Sequence, residues 1–412
     1  MIIDRRSSHY PRRGGPSCLT ILLVLVGGSF LLFLGVNANA VIEAIVPTPT
    51  AEPTRSAASY ATSAALYQRD KDYDKAIASY ESAITLDPEN TQYYVALINL
   101  LTQTGNAEQA LYWAERVLLL SRDDDRVLTA VAATYLLNGG RLADIGQRNE
   151  ATLQYQRAVD TATQAIQINA NNADAYGYLA GALIQLDRSN FAAAQEMVDT
   201  AVAINPDSAV VRYYRAVVLE NQGYYQLAIE EYEAARQLDP SYLDPALALA
   251  YSYFYTDNRA RAINILRELI EVNPANADAY DALGWMYFLA GQYPDAEQYL
   301  QEAVALDPSL TRAKAHLGSA YYKNFNYVQA IPMLEEAVAV YQDNYENGIP
   351  LTDSSSLYFI YLGFAYYRTD TALCSDAEPL FRLVIEALGE DSFRGQDALV
   401  GLNDCRQAAL EE

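Results

Sequence analysis

The chain has 412 residues, 51% of them hydrophobic, with a formal net charge of −24, two histidines and three cysteines. A chain this acidic is a poor partner for nucleic acid, whose phosphates need clustered Lys and Arg. So few His and Cys leave little material for a His/Cys metal centre or a Cys/His nucleophile pair, and no cofactor, metal or catalytic residue is expected.

Residues 1–17 form a basic tail, with Arg5, Arg6, Arg12 and Arg13 against one acid, Asp4. An uncharged, apolar run follows from Cys18 to Val36. As a helix it would span ~28 Å, about the thickness of a bilayer's hydrocarbon. A transmembrane signal-anchor is therefore expected over residues 18–37. The arginines on its N-terminal side would hold the tail in the cytoplasm and place everything after the span outside. Cleavage near Ala40, within the small-residue run Ala38-Asn39-Ala40, is the alternative and would give a secreted protein. Residues 38–56 read as a Pro/Thr-rich linker, since Val46 to Arg55 alternates Pro with Thr and Ala and is a stiff, extended spacer.

From residue 57 the sequence repeats itself, most clearly between Ala277 and Leu310. Tyr280, Leu283, Gly284 and Tyr287 share one helical face. Gly291 breaks that helix and Pro294 suits the first turn of the next. Ala296, Leu300 and Ala303 line the second helix, which Asp307-Pro308 ends. The unit is a helical hairpin with small residues where its two arms approach. This resembles the tetratricopeptide repeat, W-x2-L-G-x2-Y…A-x3-F…P, with Tyr280 and Leu300 in its aromatic slots. The second-helix alanine recurs at Ala76, Ala110, Ala158, Ala194, Ala228, Ala262, Ala296, Ala330 and Ala377.

The resemblance implies an all-α fold, a right-handed superhelical solenoid of antiparallel helix pairs. About nine units are expected over residues 57–388, with inserts near 138–151 and 341–355. The first insert reads as a lengthened hairpin with about two extra turns per arm, the second as an irregular stretch around a turn at Asn347-Gly348-Ile349-Pro350. Residues 389–412 read as a capping helix, needed because the last repeat would otherwise leave an apolar face wet.

In the family the second stripe of each first helix lines a concave, peptide-binding groove. Here that stripe carries Tyr251, Phe254, Trp285, Phe288, Tyr322, Phe364 and Tyr367, which become the candidate binding residues, partly exposed if they work as a groove. The alternative is that some of them fill gaps between stacked helices. The family's Lys/Asn/Arg clamp for C-terminal carboxylates has no counterpart, since Ala61, Ala65, Val95 and Asn99 stand in the early repeats. Asp70, Asp72, Asp74 and Glu81 mimic a calcium loop, but Lys75 stands where that loop needs glycine. His316 is the one histidine outside the tail and reads as a packing or groove residue. Cys374 and Cys405 fall at matched positions of two antiparallel helices, so an oxidising compartment would pair them; two buried free thiols are the alternative.

The function these readings imply is a membrane-anchored scaffold outside the cytoplasmic membrane that binds a protein or peptide segment. An envelope glycan or polymer binder is the alternative, and an enzyme is disfavoured.

Overall fold

The computed structural model describes residues 22–23, 25–29, 55–240 and 242–411. Residues 1–56 and 57–412 separate as two units. In the first, 22–23 and 25–29 are helical. The expected span over 18–37 and the linker over 38–56 lie largely outside the described residues. Among the described residues, no helix is long and apolar enough to cross a membrane.

The second unit is all-α, and each helix packs chiefly on its neighbours in the chain. The first hairpins are α1 (Ala57–Arg69) with α2 (Tyr73–Leu86), α3 (Thr91–Gln103) with α4 (Ala107–Leu120), and α5 (Asp125–Asp144) with α6 (Arg148–Ile168). Next come α7 (Ala173–Leu186) with α8 (Phe191–Ile204), α9 (Ala209–Asn221) with α10 (Tyr225–Leu238), and α11 (Leu243–Tyr255) with α12 (Arg259–Val272). The last are α13 (Ala277–Leu289) with α14 (Tyr293–Leu306), α15 (Thr311–Lys323) with α16 (Tyr327–Glu346), and α17 (Asp353–Thr369) with α18 (Cys374–Leu388). A final helix, α19 (Phe393–Glu411), closes the array.

Local chemistry explains the hairpin. Five first helices begin on a short polar residue whose side chain accepts an orphan N–H of the first turn: Asn90 from Gln92, Asp124 from Arg126, Asn172 from Ala175, Ser208 from Val211 and Asn276 from Ala279. The arms then meet on small residues. All nine second-helix alanines are fully buried. At Gly284 a Cβ would stand 2.6 Å from Leu300 Cγ, so this slot admits only glycine without moving the partner helix. The same close approach recurs at Gly318 against Leu334 and Gly363 against Phe381.

Both inserts take definite form. Helices α5 and α6 run 20 and 21 residues, against 13 and 14 in the neighbouring α3 and α4, so the third hairpin stands taller than its neighbours. The expected irregular stretch from 341 is instead helical to Glu346, because nothing before Gly348 and Pro350 breaks the helix; α16 is 20 residues long. At the far end α19 lays Ala398, Gly401, Leu402 and Cys405 on the last hairpin, with Gly401 against the Phe381 ring. Cys374 and Cys405 are joined by a disulfide, their Cα atoms 5.5 Å apart.

Candidate functional site: the inner face of the repeats

The tall third hairpin does not end in solvent. Its tip crosses to helices more than 160 positions away. The Arg141 guanidinium pairs with Asp307, at the end of α14, and donates to Ser309 Oγ at 2.6 Å. Asp144, the last residue of α5, accepts from Arg312 Nη1 of α15 at 2.6 Å. Between α5 and α6, Gly146 (φ +86°) lies directly against the Val340 side chain of α16, where a Cβ would come within 2.0 Å of Val340 Cγ1. Glycine is required there twice over, for the left-handed backbone and for the close approach.

Arg312 is the centre of this joint. Besides Asp144 it donates to Asp278 at 2.7 Å and, through Nε, to Asp281 at 2.8 Å. Asp281 has no solvent exposure and also accepts from His316 Nδ1 at 2.8 Å. Burial pushes the Asp281 carboxyl up, but the His316 ring and the Arg312 guanidinium outweigh it and hold the group down at about 2. Asp144 is balanced the other way. Its burial outweighs the attraction of Arg312, and Asp278 and Asp281 add repulsion, so its carboxyl is pushed up to about 6. A third of the Asp144 side chain is reachable by water, yet protein surrounds it, as expected of a group on the wall of an enclosed space. With Asp281 ionised, His316 must donate from Nδ1. Ser355 Oγ, on the wall of the same cavity as His316, is engaged in the capping box that starts α17 with Thr352.

The expected stripe divides around this joint. Tyr251, Trp285, Arg312, His316 and Tyr358 share a cavity of ≈ 500 Å³, rimmed by Arg148 and by Ile349 to Thr352. Trp285 is half-buried, with its ring stacked on His316 at 3.9 Å and on Phe288 at 4.6 Å. Phe288 and Phe254, expected to be partly exposed, are buried instead. Phe288 lies beneath Trp285 and against Tyr293; Phe254 is covered by the Arg259 guanidinium at 5.5 Å and the Tyr255 ring. Tyr322 is half-buried and stacks on Tyr361 at 4.6 Å, with Lys323 over both rings. Phe364 packs edge-on against Phe381 at 5.2 Å, which places it between two arms of the last hairpin, and Tyr367 carries Arg368 over its ring.

A second cavity, ≈ 310 Å³, adjoins the first through Tyr251 and Arg312 and reaches back past the tall hairpin to α3. Tyr155, Tyr178, Tyr213, Tyr214, Tyr242, Asp244 and Asp278 help to line it. Sequence reasoning missed all of these and Arg312. A signal was present: Asp244, Asp278 and Arg312 occupy the second position of three successive first helices, 34 residues apart. The calcium-like residues near the N-terminal end form an ordinary turn, in which Asp72 caps α2 and pairs with Lys75. Among the described residues no cluster of His, Cys, Asp or Glu could hold a metal ion.

Two family models, both described as tetratricopeptide repeat, match the chain: one over residues 179–242 and 247–310, the other over 67–134 and 287–347. Together these ranges take in more than half of the sequence. The chain is a tetratricopeptide repeat protein. Photosystem I assembly protein Ycf3 of Synechococcus elongatus, and that of a second Synechococcus strain, are 28% identical to it over 129 residues, 30% of this chain and 73% of theirs. Among solved structures, the APC/C hetero-tetramer Cut9–Hcn1 superposes with a TM-score of 0.52 at 14% identity, covering 93% of this chain and 80% of that one. At that identity the likeness concerns the fold alone. The tetratricopeptide array here departs from regular repetition in its third repeat, and that departure shapes both cavities.

Proposed function

We propose that this tetratricopeptide protein is a scaffold that holds an extended segment of a partner protein on the inner face of its repeats. The observation that carries the reading is the ≈ 500 Å³ cavity in which Trp285, His316 and Tyr358 stand on successive first helices beside Tyr251. Two of these rings, Trp285 and Tyr251, are half-buried there, and Trp and Tyr are the side chains that dominate interface energetics. The relatives named for photosystem assembly are in keeping with an assembly or scaffold role. We propose further that residues 18–37 anchor the chain in a membrane with the repeats on the extracytoplasmic side, which the uncharged run and its flanking arginines support. Protease added to intact spheroplasts is then expected to digest the repeats; protection until lysis would contradict that placement.

Crosslinking in the native membrane followed by mass spectrometry identifies the bound segment. With that segment in hand, Trp285→Ala is expected to weaken binding by about 2 kcal/mol while leaving helical content unchanged. Loss of the fold with unaltered binding by the surviving protein would make Trp285 a packing residue and end the reading. Saturable binding of an envelope glycan, with no protein segment captured, would replace it.

A further inference from the structure

The smaller cavity has a chemical character that peptide binding in general does not require. Tyrosine rings wall it, and they pack on one another: Tyr213 lies 4.8 Å from Tyr214 and 5.3 Å from Tyr242, and Tyr178 lies 5.6 Å from Tyr214. Two guanidinium groups also reach the wall, but both are already committed. Arg141 is taken by Asp307, and Arg312 is shared among Asp144, Asp278 and Asp281. Asp244 is left over: among the described residues no cation pairs with it. Burial and the nearby Asp278 push its carboxyl up to about 7. An acid held beside π-faces without a counter-ion is complementary to a cation, because ring faces attract positive charge and the carboxylate supplies its partner. The cavity's ≈ 310 Å³ is at the small end for ligand sites, enough for one long side chain and too little for a folded element.

We propose that this cavity receives the side chain of a lysine or arginine carried by the partner's extended segment, with Asp244 as counter-ion and the tyrosine rings as walls. The inference rests on the scaffold reading and adds the chemistry of one anchor residue to it. Repeats four to six would then set register along the bound segment, because a single buried charge pair tolerates no shift. Neutral segments would bind the larger cavity alone.

The test uses the full chain in detergent and two pooled decapeptide libraries, degenerate in neutral residues, with lysine or acetyl-lysine fixed at the centre. Fluorescence anisotropy reads the affinities of the wild type and of Asp244→Asn, and circular dichroism verifies that the variant is folded. The lysine pool is expected to bind at least tenfold tighter than the acetyl-lysine pool, and Asp244→Asn is expected to erase that preference. Equal binding of the two pools, or a preference that survives in Asp244→Asn, overturns the cation site while leaving the scaffold reading in place. Binding of neither pool overturns both.

Discussion

Repeats four to eight and repeat three are built from the same hairpin but differ in what their contacts span. In the regular repeats each helix rests on the next, so their geometry follows from a contact that recurs 34 residues on, such as Gly284 against Leu300 and Gly318 against Leu334. Repeat three keeps those internal contacts and adds a tip that reaches α14, α15 and α16 through Arg141, Asp144 and Gly146. The regular region teaches that a solenoid's stability is a sum of neighbour terms. The irregular one shows that two extra turns in a single hairpin can join distant repeats and turn an open groove into two bounded cavities.

The largest expected effect comes from cutting the joint at its centre. Arg312→Ala leaves Asp281 buried with only His316, and Asp144 and Asp278 without their cation. Orphaned buried charges are costly, so unfolding free energy should fall by about 3 kcal/mol, toward the low end because the guanidinium is partly exposed. Urea denaturation measures it. Gly284→Leu attacks a regular repeat instead, forcing a side chain into Leu300 and costing about 2–3 kcal/mol. The two variants should differ in reach. Hydrogen exchange is expected to rise around α13 and α14 in Gly284→Leu, but in both the third and the eighth repeats in Arg312→Ala. Coincident patterns would erase the distinction between the two regions. Gly146→Ala should cost less, about 1–2 kcal/mol, through its left-handed backbone and the Val340 contact, and should leave α13 and α14 undisturbed.

The smallest effect is a pH dependence. Asp144 and Asp244 have folded-state values raised to about 6 and about 7, above the ordinary carboxylate value, so the folded state holds their protons more tightly than the unfolded one. Their contribution favours the fold at low pH and is lost as pH rises through 6 and 7. Asp281, held down at about 2, contributes in the opposite sense, and its share is lost only as pH falls toward 2. Melting temperature should therefore climb by a few degrees between pH 8 and pH 5, and climb less in the Asp144→Asn, Asp244→Asn double variant. An equal rise in both proteins would assign the effect to net charge alone.

The hairpins were legible because their signals are local and repeated: a capping Asn or Asp, a glycine where arms cross, an alanine every 34 residues. The lengthened third hairpin was legible too, from the extra residues near 138–151. Where its tip goes was not. Arg141 and Asp307 are far apart in sequence and individually unremarkable, and only the curvature of the intervening repeats brings them together. Phe254 and Phe288 show the complementary error. Helical phase placed them on the groove stripe, but phase says nothing of the Arg259 and Trp285 side chains that cover them. The row formed by Asp244, Asp278 and Arg312 could have been read from repeat alignment, since charges stacked at one slot must find partners or repel.

The central claim is that the tip of repeat three rests on repeat eight and bounds the binding cavities. Spin labels at Gln147 and Asp343, both exposed positions beside the joint, test it most directly in the full chain with Cys18→Ser as background. A pulsed electron-resonance measurement should return one short, narrow distance in the wild type that lengthens and broadens when Arg312→Ala is added. A long, broad distribution in the wild type, unchanged by Arg312→Ala, would contradict the joint and leave the repeats an open groove.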